Sequence, residues 1–175
     1  GCNALGSGAD GSAAEATEPA AMSVAGFASE YAHLRRSDCY TVELYDEVPV
    51  EEPEPAVPAR YTQFLGWWEN GAWNGDWCHD LLIYDVDPSG RVELLDMHAP
   101  SEEFGLAPSV FKRTARIHED GTLRFAYGTE TRRYRIEGGV LVGHRSGSYG
   151  RMQVALVNPD FMPLPVPRPV RASKR

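Results

Sequence analysis

"FLGWWENGAWNGDWCHD", residues 64–80, holds all four tryptophans of the chain, together with Gly66, Gly71, Gly75 and Cys78. Its two Asn-Gly pairs, at 70–71 and 74–75, are tight-turn dipeptides, because Asn and Gly accept a positive φ at little cost. A strand entering through "RYTQFLGWW" and two tight turns, with Trp73 and Trp77 projecting from neighbouring positions, is the expected local structure. An indole buries a large area and brings one N–H that needs an acceptor. Trp67 and Trp68 are therefore expected to split between outside and core, with Trp73 and Trp77 covering one end of a barrel. The alternative is an aromatic binding surface built from Trp67, Trp73 and Trp77.

Beyond this stretch the chain keeps a regular rhythm. "HDLLIYDV" and "RVELLDMHA" are joined by "DPSG", "VFKRTARIHE" turns at "EDG" into "TLRFAYG", and "TRRYRIE" turns at "GG" into "VLVGHRS" before "RMQVALV". Turn signals about every ten residues, with apolar alternation between them, indicate antiparallel up-and-down pairing. Alternation assigns Phe111, Arg113, Ala115 and Ile117 to one face, Leu123, Phe125 and Tyr127 to another inner run, and then Tyr134 with Ile136 and Met152 with Val154 and Leu156. Arg113 is the exception on an apolar face, either a paired interior charge or a rim residue. Gly and Pro together make 30 of 175 residues, which favours turns over long helices.

A first strand carrying Gly66 and Trp68, with Trp67 between them, followed by an antiparallel meander over residues 61–157, resembles the calycin group of lipocalins, fatty-acid-binding proteins and avidins. The resemblance implies a barrel whose end is plugged by Trp68 while Gly66 lets the strand bend. The companion lipocalin motif Thr-Asp-x-x-Tyr is absent from the sequence.

The flanks differ in composition. Residues 1–22 are a Gly, Ala, Ser and acid tether with almost nothing to bury. Residues 23–60 supply a helix whose Phe27, Tyr31 and Leu34 share one face, a strand over "CYTVELYDEV", and the linker "PVEEPEPAVPAR". Residues 158–175 form a Pro-rich basic tail whose Phe161, Met162 and Leu164 suit docking on another surface. Gly1-Cys2 followed by the tether resembles the start of a mature bacterial lipoprotein, which implies a lipid anchor at Cys2 and an exported, periplasmic or cell-surface location. Cys39 and Cys78 would then remain as one disulfide pair.

Converging chemistry is not announced. Cys78 and His79 are adjacent on a strand and point to opposite faces, so they make no nucleophile and base pair. His33, His79, His98, His118 and His144 are isolated and without metal-ligand spacing, and solvated strand-end positions are expected, the alternative being a site assembled from His98, His118 and His144. "RRYR", 132–135, reads as outward arginines around an inward Tyr134. No catalytic residue, metal ligand or cofactor is expected. The net charge of −8 argues against nucleic acid as a partner, which needs a positive field.

The expectation is an all-β, antiparallel up-and-down barrel or half-barrel with a short N-terminal helix and extended arms. Its first functional reading is a non-enzymatic accessory subunit of a membrane-associated assembly, gripping other protein subunits through residues 1–60 and 158–175. The alternative is a lipocalin-like small-ligand binder with its site at the end opposite Trp68, and an enzyme of undefined type comes third.

Overall fold

In the computed structural model, residues 29–38 and 47–164 are described. Eight strands run in chain order around a closed antiparallel barrel, each paired with its neighbours and β1 with β8. They are β1 (Gly66–Trp73), β2 (Trp77–Val86), β3 (Arg91–His98), β4 (Ser109–Ile117), β5 (Leu123–Tyr127), β6 (Glu130–Glu137), β7 (Val140–Gly147) and β8 (Gly150–Val157). Closure removes every free sheet edge, which an open half-barrel would leave exposed. The fold is consistent with a calycin-like barrel.

Strand periodicity decides what faces inward. Asp96, Leu94 and Val92 of β3 share the buried interior with Leu81, Ile83 and His79 of β2, and register confirms it, with Leu81 opposite Asp96 and His79 opposite His98. β1 departs from strict alternation. Its register slips between Trp68 and Gly71, where Asn70 takes φ 61°. This bulge shifts the phase by one residue, so Trp68 and Trp73, an odd number of positions apart, both enter the barrel. Asn70-Gly71 is thus a bulge and not the turn expected; Asn74-Gly75, with φ 51° and 84°, makes the β1–β2 turn.

One end of the barrel is sealed. Instead of a strand beginning before Tyr61, the chain forms a one-turn helix α1 (Ala59–Thr62) directly after Pro58. Proline suits that position, since its fixed φ starts a helix and its missing N–H is not needed there. The turn drives buried Tyr61 and Phe64 under the barrel, where Trp68 Nε1 donates to the Phe64 carbonyl at 2.7 Å. Phe161 packs against the same indole at 5.7 Å between centroids.

On the outer wall, the piece of the expected N-terminal helix that is described is shorter: after Tyr31 comes a 3-10 turn, Ala32–Leu34. Leu34 is buried on Val140, Val142 and Ala155, with Tyr31 beside it, and the Tyr31 hydroxyl donates to Glu137. Phe27 and the expected strand at 39–46 lie outside the described residues.

Candidate functional site

The half of the barrel opposite Trp68 is filled by a polar cluster rather than by apolar side chains. Period 2 delivers it: His79 continues inward from Leu81, Asp96 and His98 from Leu94, Arg132 from Tyr134, and Arg145 from Gly143 and Leu141. Asp96 sits at the centre and is fully buried. It accepts from Arg132 Nη1 at 3.1 Å through Oδ1 and from Arg113 Nε at 3.4 Å through Oδ2. Beside it, Arg145 donates to Glu130 Oε2 through Nε at 3.2 Å and Nη2 at 3.0 Å.

The hydrogen bonds fix the histidine tautomers. His79 Nδ1 faces the Met97 carbonyl at 2.9 Å and must donate to it. Its Nε2 lies 2.8 Å from the Tyr134 hydroxyl, and burial pushes the ring's pKa down to about 3, against a smaller upward pull from Asp96. The ring is therefore neutral, and Nε2 accepts the Tyr134 proton. Burial raises the Tyr134 pKa well above its ordinary value, which keeps that donor in place. His98 Nε2 accepts from Trp73 Nε1 at 3.0 Å. Burial lowers the His98 pKa, with His79 and the three arginines acting in the same sense, so its proton sits on Nδ1, facing Asp96.

Desolvation works against the charge on Arg132, yet Tyr134, Asp96 and Tyr127 outweigh it and its pKa is raised. The guanidinium is held by Asp96, by the Tyr134 hydroxyl at 3.0 Å and by the Tyr127 hydroxyl at 2.6 Å. Trp73 lies between charges: the guanidinium carbons of Arg132 and Arg145 are each 5.1 Å from its ring centroid, the attractive arrangement of a cation over an indole. His79 and His98 stack at 4.5 Å.

His79, Asp96 and His98 bring potential metal-ligand atoms within 4.8 Å of one another. As arranged, they do not suit a cation. Each histidine's lone pair is already occupied by Tyr134 or Trp73, and guanidiniums adjoin both Asp96 oxygens.

Above this floor a cavity of about 530 Å³ opens at the barrel mouth. Arg113, Arg132, Arg145 and His98 line its depth, and Trp77, Leu106, Phe111 and Tyr149 line its walls. Its volume falls within the range of small-molecule pockets.

The residues singled out in the sequence are scattered. Trp68 and Gly66 lie at the sealed end, Trp73 in the interior and Trp77 at the mouth, while Trp67 is exposed on the outer wall, so the four indoles form no common surface. Phe161 covers Trp68, and Met162 and Leu164 are exposed. Cys78 is buried on β2; Cys2 and Cys39 lie outside the described residues, as does any pairing of Cys39 with Cys78. Two readings are corrected. Arg132 points inward beside Tyr134, while Arg133 is exposed and Arg135 half-buried. His79 and His98 are buried partners instead of solvated strand ends, while His118 and His144 lie elsewhere.

The geometry defines an eight-stranded antiparallel barrel sealed at one end and charged inside at the other. No family model matches the chain, and no curated protein or solved structure matches it.

Proposed function

We propose that this barrel binds a small amphipathic monoanion in its mouth, its acid group against the arginine floor and its apolar body along Trp77, Leu106, Phe111 and Tyr149. The observation that carries the reading is the charge count of the floor. Arg113, Arg132 and Arg145 face Asp96 and Glu130, and both histidines are neutral. Three guanidiniums against two carboxylates leave one positive charge in a largely desolvated place. An uncompensated buried charge is costly, and one anionic group on a ligand balances it. Arg113 is the guanidinium best placed to meet that group, because it lines the cavity and keeps some exposure.

Binding rather than catalysis is favoured by the histidines. Neither ring has a lone pair free to take a proton, and His79 is wholly buried. Docking through the arms stays a second proposal, supported by exposed Met162 and Leu164 in the described part of the tail; the lipid anchor at Cys2 and the exported location are proposals of the same kind.

The test is fluorescence titration of the full chain with an apolar sulfonate dye, followed by displacement with a medium-chain carboxylate and with the alcohol of equal length. Saturable one-to-one binding, displacement by the carboxylate alone, and a loss of roughly tenfold in affinity for Arg113→Gln are expected. Equal displacement by the alcohol, or undiminished affinity in Arg113→Gln, would overturn the reading.

A further inference from the structure

The outer wall carries a second charge pattern, separated from the mouth by the sheet itself. Along one line perpendicular to the strands, Arg91 of β3 pairs opposite Arg116 of β4, Arg116 opposite Arg124 of β5, Arg124 opposite Arg133 of β6, and Arg133 opposite His144 of β7. Like charges directly opposite one another on a sheet are destabilising. Three arginine-to-arginine steps in succession, in a chain of net charge −8, call for a cause outside the fold; the fourth step ends on His144, whose pKa is lowered by burial and by Arg135 and Arg133.

The surroundings strengthen the pattern. Outward positions of β4–β8 also carry Lys112, Arg135 and Arg151, against Glu137 as their outward carboxylate. Some belt members are engaged: Arg91 with Glu93, Arg124 with Asp120, and Arg116 with the Ser89 carbonyl. Arg133 and Arg151 are exposed and make no ion pair among the described residues. Around them runs an open groove of about 660 Å³ whose lining includes Thr131, Arg133, His144, Ser146, Arg151 and Gln153. Hydroxyl and amide groups thus alternate with cations along it.

We propose that this belt and groove bind an acidic polysaccharide. Shape and chemistry select that partner. The belt crosses four of the eight inter-strand steps of a closed barrel, half its circumference, so its ends face in opposite directions. A flat anionic bilayer cannot touch both ends, whereas a flexible polyanion can follow the curve over roughly 20 Å at the usual strand spacing. Single-stranded nucleic acid is recognised by aromatic side chains on which bases stack. No Phe, Tyr or Trp points outward from β4–β8. The hydroxyl and amide groups beside Arg133 and Arg151 instead match the hydroxyls and acid groups of a sugar chain.

The test is isothermal titration of the full chain at low salt with heparin oligosaccharide and with oligogalacturonate, alongside single-stranded DNA and anionic lipid vesicles. The double variant Arg133→Gln/Arg151→Gln is compared with Arg60→Gln, which removes a charge from α1 at the sealed end. Binding of at least one polysaccharide is expected, weakening as salt rises, with a loss of about tenfold or more in the double variant and less than about twofold in Arg60→Gln. Absence of polysaccharide binding, equal losses in both variants, or preference for DNA or vesicles would overturn the proposal. Both arginines of the double variant are exposed, so unchanged thermal unfolding will show that folding is intact. The mouth ligand is read out separately by the dye, so either result stands without the other.

Discussion

The two ends of this barrel are made by the same eight strands and the same alternation, yet they are filled in opposite ways. At the sealed end Phe64, Trp68, Leu81, Ile83, Leu94 and Leu141 are wholly buried and apolar, and the one polar atom of Trp68 is satisfied by a backbone carbonyl. At the mouth end the same inward positions hold two histidines, two carboxylates and three arginines. Apolar burial stabilises at about 25 cal/mol per Å², whereas a buried ion pair roughly breaks even and is strongly destabilising once one partner is lost. The sealed end therefore holds the fold together, and the mouth end is where composition departs from what stability alone would select.

Acid should separate the ends most sharply. His79 is held neutral with a pKa near 3, and His98 is lowered in the same direction, while an unfolded histidine titrates near 6.5. The unfolded chain then binds more protons than the folded one below about pH 6.5, so stability is complete above that pH. It should fall as pH drops toward the folded values, by up to about 1.4 kcal/mol per pH unit for each ring. Urea unfolding between pH 7 and about 4.5 measures this slope. Replacing His79 by Gln should flatten it; an unchanged slope would mean that the cluster does not carry the acid sensitivity.

At the other end the effect is one of packing. Trp68→Ala removes a fully buried indole and leaves its cavity between α1 and Phe161, with an expected loss of about 3–5 kcal/mol in urea unfolding at neutral pH. The acid slope of the surviving fold should be the same as that of the parent. A changed slope would show that the two ends are coupled and not independent.

These contrasts also show where the sequence was readable. Turn signals and apolar alternation predicted seven of the meander's strands to within a few residues, because strand period and Gly-rich turns are local properties. Closure of the barrel is not local, and neither is the bulge at Asn70. A positive φ at Asn-Gly serves a turn or a bulge equally well, so the inward placing of Trp73 could not be read from parity. Inside the cluster the signal was present but overruled by polarity. Alternation turns Tyr134 inward, and Arg132 two residues before it shares that face; Leu81 and Leu94 likewise carry His79 and Asp96 with them. Equating charge with solvent exposure holds for most strands and fails where charges are paired in the interior.

A smaller effect is expected where the two kinds of packing meet. Gly143 lies on β7 directly opposite Tyr134, and a Cβ there would stand 2.5 Å from the Tyr134 ring and 2.8 Å from Val154. Gly143→Ala should therefore cost about 1–3 kcal/mol by overpacking. It should also displace the hydroxyl that donates to His79, so thermal unfolding and the acid slope are measured together. A stability loss with no change in slope would mean that the ring tilts and keeps its hydrogen bond.

The smallest effect on stability should come from the residue given the largest role in binding. Arg113 touches Asp96 at 3.4 Å and lies over the Tyr127 ring at 3.5 Å from its centroid, but its side chain keeps 18% of its exposure. Asp96 retains Arg132 when Arg113 is gone, so Arg113→Gln leaves no buried carboxylate without a cation. The cost should stay below about 1 kcal/mol, as for other partly solvated pairs. Substitution removes the surplus positive charge of the floor, which is the feature a ligand's acid group would answer. Stability near that of the parent with anion affinity reduced separates Arg113 from Trp68, whose loss destabilises without touching the mouth. A destabilisation as large as that of Trp68→Ala would instead make Arg113 a structural member of the interior, and would move the anion's contact to Arg132 or Arg145.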